Sequence, residues 1–368
     1  MKRSFIREIL ESITPETISF AGGLPDEHLF PHEALRTSAN RILSDPSHLQ
    51  YSTSSGILPL REQIAAIYSR QGFETHADNI LITSGSQQAL DLLSRHYRDR
   101  SITIESPSYL GAMGIFALNH LHTEAITLEH DGIAVDPFIQ SLKQTQLTYL
   151  IPDYQNPTGR TYRMNKRKTI AAQLQKHGAI LIEDAPYSDL YFECRQPAIS
   201  SMIPEQSYHL GSFSKSLAPA LRIGWIRASE DLLHPLLVHK EAMDLHTNSL
   251  MQYILHDYLL DPDQHHHHLE TLRQHYAQKM EAFSELLKKH LPGFIFEKPK
   301  GGMFIYGTLS DVDTAELVQR SLTKGVVFVP GCEFYTEGGE GMDEIRFNFT
   351  YSDIDAMERG IKILARCL

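Results

Sequence analysis

The sequence predicts an α/β protein whose main sheet is mostly parallel and covered by helices on both faces. Between residues 79 and 192, short apolar strands alternate with turns and helical segments, which is typical of a parallel sheet. From Phe294 onward, short strands and helices alternate again, and this predicts a second, smaller α+β unit. A chain of 368 residues with 42% hydrophobic content is long enough for two domains.

The N-terminal part is expected to contain one helix and one extended segment. Residues 4–12 place their apolar side chains on one helical face, with Arg7 beside that face. Residues 19–31 are interrupted by Gly22 and Gly23, which allow a backbone or a ligand to approach closely. Two further helices are predicted at 32–43 and, after a Ser/Gly turn, within 51–72.

The repeated strand, turn and helix segments define the rest of the chain. Those of the main sheet are at 79–97, 101–118, 124–129, 147–177 and 179–192. Long helices are predicted from about Glu230 to His290. The strands of the second unit are expected at 294–299, 301–309, 326–331 and 344–350. Because the carboxyl ends of parallel strands share one edge of a sheet, functional residues are expected on the loops at that edge.

Composition excludes several classes of protein. The net charge of −11 argues against nucleic acid or an anionic membrane as a partner, since both favour clustered positive charge. Three widely spaced cysteines favour free thiols in a reducing cytosol over a disulfide framework. Charges interrupt every apolar run near the N-terminus, so a secretory signal is not expected, and no apolar run is long enough to span a membrane. We therefore expect a cytoplasmic globular protein.

Four clusters follow predicted strands. They are Gly85-Ser86-Gln87, the turn at 156–159, the segment from Asp184 to Tyr187, and the segment from Ser212 to Lys215. Gly-Ser before a helix is either a plain N-cap or a phosphate site made of free N–H groups and the helix dipole. The run His265–His268 could suggest a metal, but consecutive helical residues point in different directions, so a solvated helix start is favoured.

Asp184 and Lys215 carry the sharpest chemical signal. Asp184 ends a buried apolar strand, so its carboxylate needs a cation or a protonated ring nitrogen as partner. Lys215 lies in a turn among serines, which favour turns over helix surfaces. On a parallel sheet, the two residues can reach the same crevice.

Three motifs together are specific: SFSKSLAPALRIGW at 212–225, NPTG at 156–159 and EDAPY at 183–187. With them, nearly the whole chain resembles the fold-type I, pyridoxal-phosphate-dependent aminotransferases of class I/II, especially the bacterial 2-aminoadipate and kynurenine type. The resemblance implies a large domain at 45–255 with a mostly parallel seven-stranded sheet. It also implies a small domain at 13–44 and 256–368, and an N-terminal arm at 1–12 beside the active site.

The resemblance also implies the residues that bind the cofactor ring. Lys215 would bond covalently to the aldehyde of pyridoxal 5'-phosphate and then act as general base and acid. Asp184 would pair with the protonated pyridine nitrogen, which keeps the ring an electron sink. Asn156 and Tyr187 would bond the phenolic oxygen of the ring. Tyr109 would stack on the ring, although a packed loop tyrosine is the alternative.

The phosphate of the cofactor would lie at the start of the helix after Gly85, with Ser86 and Gln87. Ser212 and Ser214 would add hydroxyl groups, and Arg222 a guanidinium. Tyr51 matches a tyrosine that reaches the phosphate from the neighbouring subunit, which implies a homodimer with shared active sites. Packing within its own loop is the alternative for Tyr51.

The substrate would be bound by residues from both ends of the chain. Arg346 matches the arginine that holds the substrate's α-carboxylate, with Asn156 beside it and the backbone N–H of Gly23 directed at the same group. Arg7 matches an arginine that related enzymes use for a side-chain carboxylate, which favours acidic substrates such as 2-aminoadipate or glutamate. The alternative for Arg7 is a surface salt bridge with Glu8 or Glu11.

The function implied is transamination: an amino acid gives its amino group to the cofactor, which passes it to a 2-oxo acid such as 2-oxoglutarate. Aromatic or branched amino acids remain open as donors. A β-lyase or a decarboxylase on the same scaffold is the alternative reaction. A regulatory binding domain of this fold is a further alternative, but such proteins carry a DNA-binding domain first, and here only a few tens of residues precede the first strand cluster.

Overall fold

The computed structural model describes residues 14, 16–336 and 338–368. The helix predicted at 4–12 therefore lies outside the described residues. Strand β1 (Ile18–Ser19) lies outside the main sheet. The eight strands of the main sheet follow along the chain as β2 (Ile80–Thr83), β3 (Ser101–Ser106), β4 (His122–Glu129), β5 (Gly132–Ile133), β6 (Leu147–Leu150), β7 (Ile180–Asp184), β8 (Ser207–Ser212) and β9 (Gly224–Arg227).

The main sheet has the order β2-β9-β8-β7-β6-β3-β4-β5. Its central strands, from β8 through β7, β6 and β3 to β4, all pair in parallel. Strand β9 runs antiparallel to β2 and β8, and β5 runs antiparallel to β4. Seven strands thus form the mostly parallel sheet that the sequence predicts. The two-residue β5 adds an eighth at the edge.

Helices cover both faces of this sheet. Along the chain they are α1 (His32–Leu43), α2 (Leu58–Arg70), α3 (Ser86–His96), α4 (Leu110–Leu118), α5 (Val135–Ser141), α6 (Met164–His177), α7 (Glu230–Asp244), α8 (Ser249–Leu259) and α9 (Pro262–His290). Successive side chains of β2 separate the two faces. Leu81 packs in the cluster that contains α3, α4 and α7, whereas Ile80 and Ile82 pack in the cluster with α2 and α8.

Helix α9 leads from the main sheet to the smaller one. Its first turn is capped by Asp261, whose Oδ1 accepts a hydrogen bond from the backbone N–H of Gln264 at 3.0 Å, and Pro262 occupies the first turn. After it come β10 (Phe294–Phe296), β11 (Phe304–Leu309), α10 (Thr314–Leu322), β12 (Val326–Val327), β13 (Val329–Pro330), β14 (Glu344–Asn348) and α11 (Ile354–Ala365).

The smaller sheet is antiparallel and has the order β10-β11-β14-β13. The apolar segment predicted as one strand at 326–331 is divided between two sheets. Its first half, β12, pairs in parallel with β1, and its second half, β13, pairs with β14. One hydrophobic cluster extends from the main sheet through α9 into this smaller sheet. Among the described residues, no helix combines the length and apolar character needed to cross a membrane.

Candidate active site

The predicted residues come together at the carboxyl ends of the parallel strands. Asn156 follows β6, Asp184 is the last residue of β7, and Lys215 follows β8. Arg346 enters from β14 of the smaller sheet. The side chains of Asn156, Asp184 and Arg346 are each exposed by no more than 3%. The site therefore lies between the two sheets, as the strand-end argument predicts.

Lys215 is held at the junction with the N-terminal segment. Its Nζ donates a hydrogen bond to the backbone carbonyl of Gly23 at 2.7 Å. Burial lowers the pKa of Lys215 to about 8, and the positive charges of Arg346 and Arg222 add to the effect. A lysine with such a pKa has a sizeable neutral fraction near neutral pH, and the neutral amine is the nucleophilic form.

Asp184 is a buried carboxylate that forms no ion pair with any described residue. Its Oδ2 accepts a hydrogen bond from the hydroxyl of Tyr149 at 2.9 Å. Its Oδ1 is buried and has no hydrogen-bond partner in the described part of the chain. Burial raises the pKa of Asp184 to about 7, against the opposing effect of the Tyr149 hydrogen bond. Oδ1 therefore remains available to a donor such as a protonated ring nitrogen.

Asn156 connects Tyr187 to Arg346. Its Nδ2 donates to the hydroxyl of Tyr187 at 3.3 Å, and its Oδ1 accepts from Nη1 of Arg346 at 2.7 Å. Burial raises the pKa of Tyr187, so its hydroxyl stays protonated. Its ring meets that of Phe304 edge to face, with the centroids 5.8 Å apart. The amide thus fixes one group from each sheet.

Arg346 is a buried cation that has no acidic partner in the described residues. Besides Asn156, its guanidinium donates to the backbone carbonyl of Ala21, and it lies 4.3 Å above the ring of Phe304. Its Nε is buried without a hydrogen-bond partner. Burial lowers the pKa of Arg346 to about 10, so the group remains charged. A buried arginine without a carboxylate is suited to receive one from a ligand.

A second cluster of donors lies at the start of α3. Gly85 has a φ of +79°, and a Cβ built on it would lie 2.6 Å from Nη2 of Arg222. That same Nη2 donates to the carbonyl of Ser84 at 2.9 Å. Ser86 and Gln87 begin the helix, so their N–H groups lack partners within it. Ser212 and Ser214 join this side through a 2.9 Å hydrogen bond between their hydroxyls.

The remaining predicted residues differ in their surroundings. Tyr109 precedes α4, and its ring lies against Gly111. Tyr51 is 79% exposed, and its ring meets that of His246 edge to face, with the centroids 5.8 Å apart. Arg7 lies outside the described residues.

No group of three or more His, Cys, Asp or Glu suited to a metal occurs in the described ranges. His268 of the histidine run contacts the Ser216 carbonyl at 2.7 Å.

Sequence reasoning missed several residues that support the site. Tyr149 lies within a buried strand and carries no motif, so only the fold reveals its contact with Asp184. Gln155 was hidden beside the NPTG motif, although its side-chain Oε1 accepts from the backbone N–H of Thr158 at 2.9 Å. Its Nε2 donates to Glu105 at 3.2 Å, a fully buried carboxyl whose pKa burial raises to about 8. The contacts of Tyr149 with Asp184 and of Gln155 with Glu105 each join residues that are distant in sequence.

The donor set fits pyridoxal 5'-phosphate. The unpartnered Oδ1 of Asp184 suits a protonated ring nitrogen, and the hydroxyl of Tyr187 with Asn156 suits a phenolic oxygen. The helix start at Ser86, with the Arg222 guanidinium against a glycine, suits a phosphate dianion. A lysine of lowered pKa completes the set.

Comparison with known proteins identifies the family of the chain. Residues 18–364 match the family model of aminotransferase class I and II. The chain is 35% identical to a 2-aminoadipate transaminase of Thermus thermophilus, over 100% of this chain and 94% of that protein. It is 34% identical to aromatic-amino-acid aminotransferase 1 of Thermococcus litoralis, over 100% of this chain and 92% of that protein.

A solved structure extends the comparison to the cofactor. The α-aminoadipate aminotransferase LysN of Thermus thermophilus, in complex with N-(5'-phosphopyridoxyl)-L-leucine, superposes with a TM-score of 0.92. The two chains are 34% identical, and the match covers 100% of this chain and 95% of that one. The family match spans nearly the whole chain, and the site carries the chemistry that this family needs. The chain belongs to the aminotransferase class I and II family and is a transaminase that uses pyridoxal 5'-phosphate.

Proposed function

We propose that the enzyme moves the α-amino group of an L-amino acid to 2-oxoglutarate or a similar 2-oxo acid, in two half-reactions at one site. The observation that carries this proposal is Arg346, a buried cation that has no acidic partner in the described residues and whose charge lowers the pKa of Lys215. Both the donor and the acceptor carry an α-carboxylate that can fill this position. The bound cofactor supplies the electron-withdrawing ring on which the amino group is exchanged.

Lys215 would hold the cofactor and later move the α-proton of the substrate. Its pKa of about 8 permits both tasks, because the amine accepts a proton and returns it near neutral pH. Arg346 would receive the α-carboxylate, and the N–H of Gly23 would bind the same group. Asn156, which bonds both Arg346 and the Tyr187 hydroxyl, would lie beside the bound substrate.

Asp184 and the helix start would fix the two ends of the cofactor. Asp184 would bond the ring nitrogen through Oδ1, which has no partner in the described chain. Gly85, Ser86 and Gln87 would offer backbone N–H groups to the phosphate, together with the hydroxyls of Ser212 and Ser214 and the guanidinium of Arg222. Tyr109 would cover the ring face.

We further propose a homodimer in which Tyr51 reaches the phosphate of the neighbouring site. An exposure of 79% is unusual for a tyrosine whose hydroxyl is meant to work within its own chain. Met243 and Leu245, near the Tyr51 contact residue His246, are also exposed apolar residues. Such a surface is suited to burial against a second copy.

The two sheets are proposed to belong to two domains, at 45–255 and at 13–44 with 256–368. The predicted boundary at 255/256 falls inside α8, so a division between α8 and α9 would separate whole helices. Closure of the domains on substrate would exclude water from Lys215. We also propose a cytoplasmic location, which the three free cysteines support.

For the donor, we propose acidic amino acids such as 2-aminoadipate and glutamate, read through Arg7, with aromatic or branched side chains as further substrates. The names of the relatives, a 2-aminoadipate transaminase and an aromatic-amino-acid aminotransferase, support this range. The test is a panel of L-amino acids with 2-oxoglutarate, measured for wild type, Arg7→Ala and the control Arg98→Ala. A selective loss of acidic donors in Arg7→Ala is expected.

The reaction type is tested separately, by following conversion of the bound cofactor to its amine form after each amino acid is added. Conversion by at least one donor, and recovery with 2-oxoglutarate, are expected. Failure of every amino acid to convert the cofactor would refute the proposed function. If Arg7→Ala keeps wild-type activity on every donor, acidic donors included, only the role of Arg7 is refuted.

A further inference from the structure

Tyr149 is a fully buried tyrosine at the centre of the main sheet. It pairs in register with Ile182 on the neighbouring strand β7, two residues before Asp184. Its ring meets that of Phe116 edge to face, with the centroids 5.3 Å apart, which fixes the direction of the hydroxyl. The hydroxyl donates to Oδ2 of Asp184 at 2.9 Å. Two side chains on adjacent strands thus form one unit.

This hydrogen bond determines how the carboxylate is turned. The terminal torsion of an aspartate is broad and roughly two-fold, so either oxygen could face the site. Because Tyr149 takes Oδ2, Oδ1 is left buried without a partner in the described residues. A donor to a carboxylate also favours its charged form, and here it opposes the effect of burial on the pKa of Asp184.

A buried tyrosine usually finds a hydrogen-bond partner, so a purely structural role is the alternative. Tyr208 on β8 provides the comparison: it is equally buried, and its hydroxyl lies 3.0 Å from that of Tyr97. That contact joins two neutral groups. The partner of Tyr149 is instead an ionisable group, the one proposed to bind the cofactor ring, and no other side chain of the described chain donates to it.

We propose that Tyr149 is a positioning residue that orients Asp184 and keeps it ionised for the ring nitrogen of the cofactor. This inference rests on the proposed role of Asp184, and it adds Tyr149 as the residue that orients Asp184 for that role. Tyr149 does not touch the reacting atoms. Its effect on cofactor binding should therefore depend on whether the ring has a nitrogen at all.

The test compares dissociation constants for pyridoxal 5'-phosphate and for the analogue in which carbon replaces the ring nitrogen. Wild type, Tyr149→Phe and the control Tyr208→Phe are measured by cofactor absorbance, with folding checked by circular dichroism. Loss of one hydrogen bond to a charged group should weaken binding of the natural cofactor about tenfold in Tyr149→Phe. Binding of the analogue should stay at the wild-type value, and Tyr208→Phe should change neither.

Equal weakening for both ligands in Tyr149→Phe would show a merely structural role and overturn the proposal, as would unchanged binding of both. If Tyr149→Phe does not fold, Tyr149→Met removes the same hydroxyl. It is judged by the same ratio of the dissociation constants for the natural cofactor and the analogue. Asp184→Asn separates the two proposals. If Asp184→Asn still binds pyridoxal 5'-phosphate more tightly than the analogue, by the wild-type ratio, the role of Asp184 is refuted. If Asp184→Asn loses this preference but Tyr149→Phe keeps it, only the role of Tyr149 is refuted.

Discussion

Arg346 and Asn156 are joined by a 2.7 Å hydrogen bond although they lie 190 positions apart and on elements of different sheets. The same guanidinium reaches the Ala21 carbonyl and lies above the Phe304 ring. Each contact uses the planar, forked shape of arginine, and a lysine ammonium offers neither the plane nor the fork. We therefore expect the geometry of this single side chain to decide how a substrate carboxylate is bound.

Arg346→Lys should lower kcat/KM for amino acids about 100-fold, the loss expected for a bidentate charged contact. Affinity for pyridoxal 5'-phosphate should not change, since Arg346 is proposed to bind substrate. The first half-reaction, followed by cofactor absorbance, measures the effect. Arg160→Lys is the control, because Arg160 also donates to a backbone carbonyl, that of Leu128. Wild-type kinetics in Arg346→Lys would contradict the assignment.

Gly85→Ala should weaken cofactor binding. At a φ of +79° any side chain is strained, and the new Cβ would lie 2.6 Å from the Arg222 guanidinium that is proposed to bind the phosphate. Gly178→Ala is a matched control, because Gly178 has a φ of +64° with open space around the added Cβ. Both variants should lose about 1 kcal/mol of folding stability.

Only Gly85→Ala should raise the dissociation constant for the cofactor, by roughly tenfold for each 1.4 kcal/mol of lost contact. Equilibrium dialysis or cofactor absorbance measures the constants. Equal cofactor affinity in the two variants would mean that the space beside Arg222 does not matter for the phosphate.

Asp184→Asn should stabilise the protein when it is stripped of cofactor. The pKa of Asp184 is raised from 3.8 to about 7, so between these values the folded state keeps a proton that the unfolded chain has released. Stability supported by this group is therefore lost as pH rises from about 4 to 7. Replacing the carboxyl by a neutral amide should relieve a penalty on the order of 4 kcal/mol at pH 8, and much less at pH 4.

Asp153→Asn is the matched contrast, because Asp153 is a buried carboxylate paired with Arg167. Removing its charge leaves Arg167 buried without compensation, so this variant should lose stability. Thermal unfolding at pH 4 and pH 8 measures both variants. A loss of stability at pH 8 in Asp184→Asn would contradict the view that Asp184 is held there for binding rather than for folding.

Mixed dimers should reveal whether the active site is shared. Lys215→Ala and Tyr51→Ala subunits should each be inactive or weakly active alone at limiting cofactor. A heterodimer of the two would contain one site with an intact Lys215 from one subunit and an intact Tyr51 from the other. Random mixing should then recover about a quarter of wild-type activity, as expected for a two-fold symmetric dimer.

The control is a mixture of subunits that carry both substitutions with wild-type subunits. In a dimer of one wild-type and one doubly substituted subunit, each site lacks either Lys215 or Tyr51. Only the wild-type dimers in this mixture should therefore be active. Activity of the Lys215→Ala and Tyr51→Ala mixture that does not exceed the sum of the separate variants would place Tyr51 within its own subunit.

The sequence predicts the strand-end residues because local patterns define them. The helix expected at 32–43 is α1, and the strand that ends at Asp184 is β7. The family resemblance is confirmed by the match over residues 18–364. These features depend on short-range periodicity and on motifs that recur in one order.

The remaining features depend on partners that are distant in sequence. The two-residue β5 exists because Gly132 turns the chain back on β4 at a φ of +134°. In the sequence, Tyr149 looks like an ordinary strand residue. Its contact with Asp184 becomes visible only in the fold, where β6 pairs with β7. The division of 326–331 between two sheets follows from which strand lies nearby, and apolar periodicity contains no such information.

That division has a mechanical consequence. Only Phe328 separates β12, which pairs with β1, from β13, which pairs with β14. The backbone N–H of Asn348 also donates to the carbonyl of Phe20 at 2.8 Å. The start of the described chain and the strand that bears Arg346 are thus linked twice.

In a hinge rotation of the smaller sheet, Arg346 and Gly23 would therefore move together as one rigid unit. Their mutual spacing would stay constant, so the receptor for the substrate carboxylate would move as a unit. Two of the contacts across to the larger sheet would change in such a rotation, from Gly23 to Lys215 and from Arg346 to Asn156. In the closure that we propose, each of these two hydrogen bonds would be made again with one partner on the moving unit.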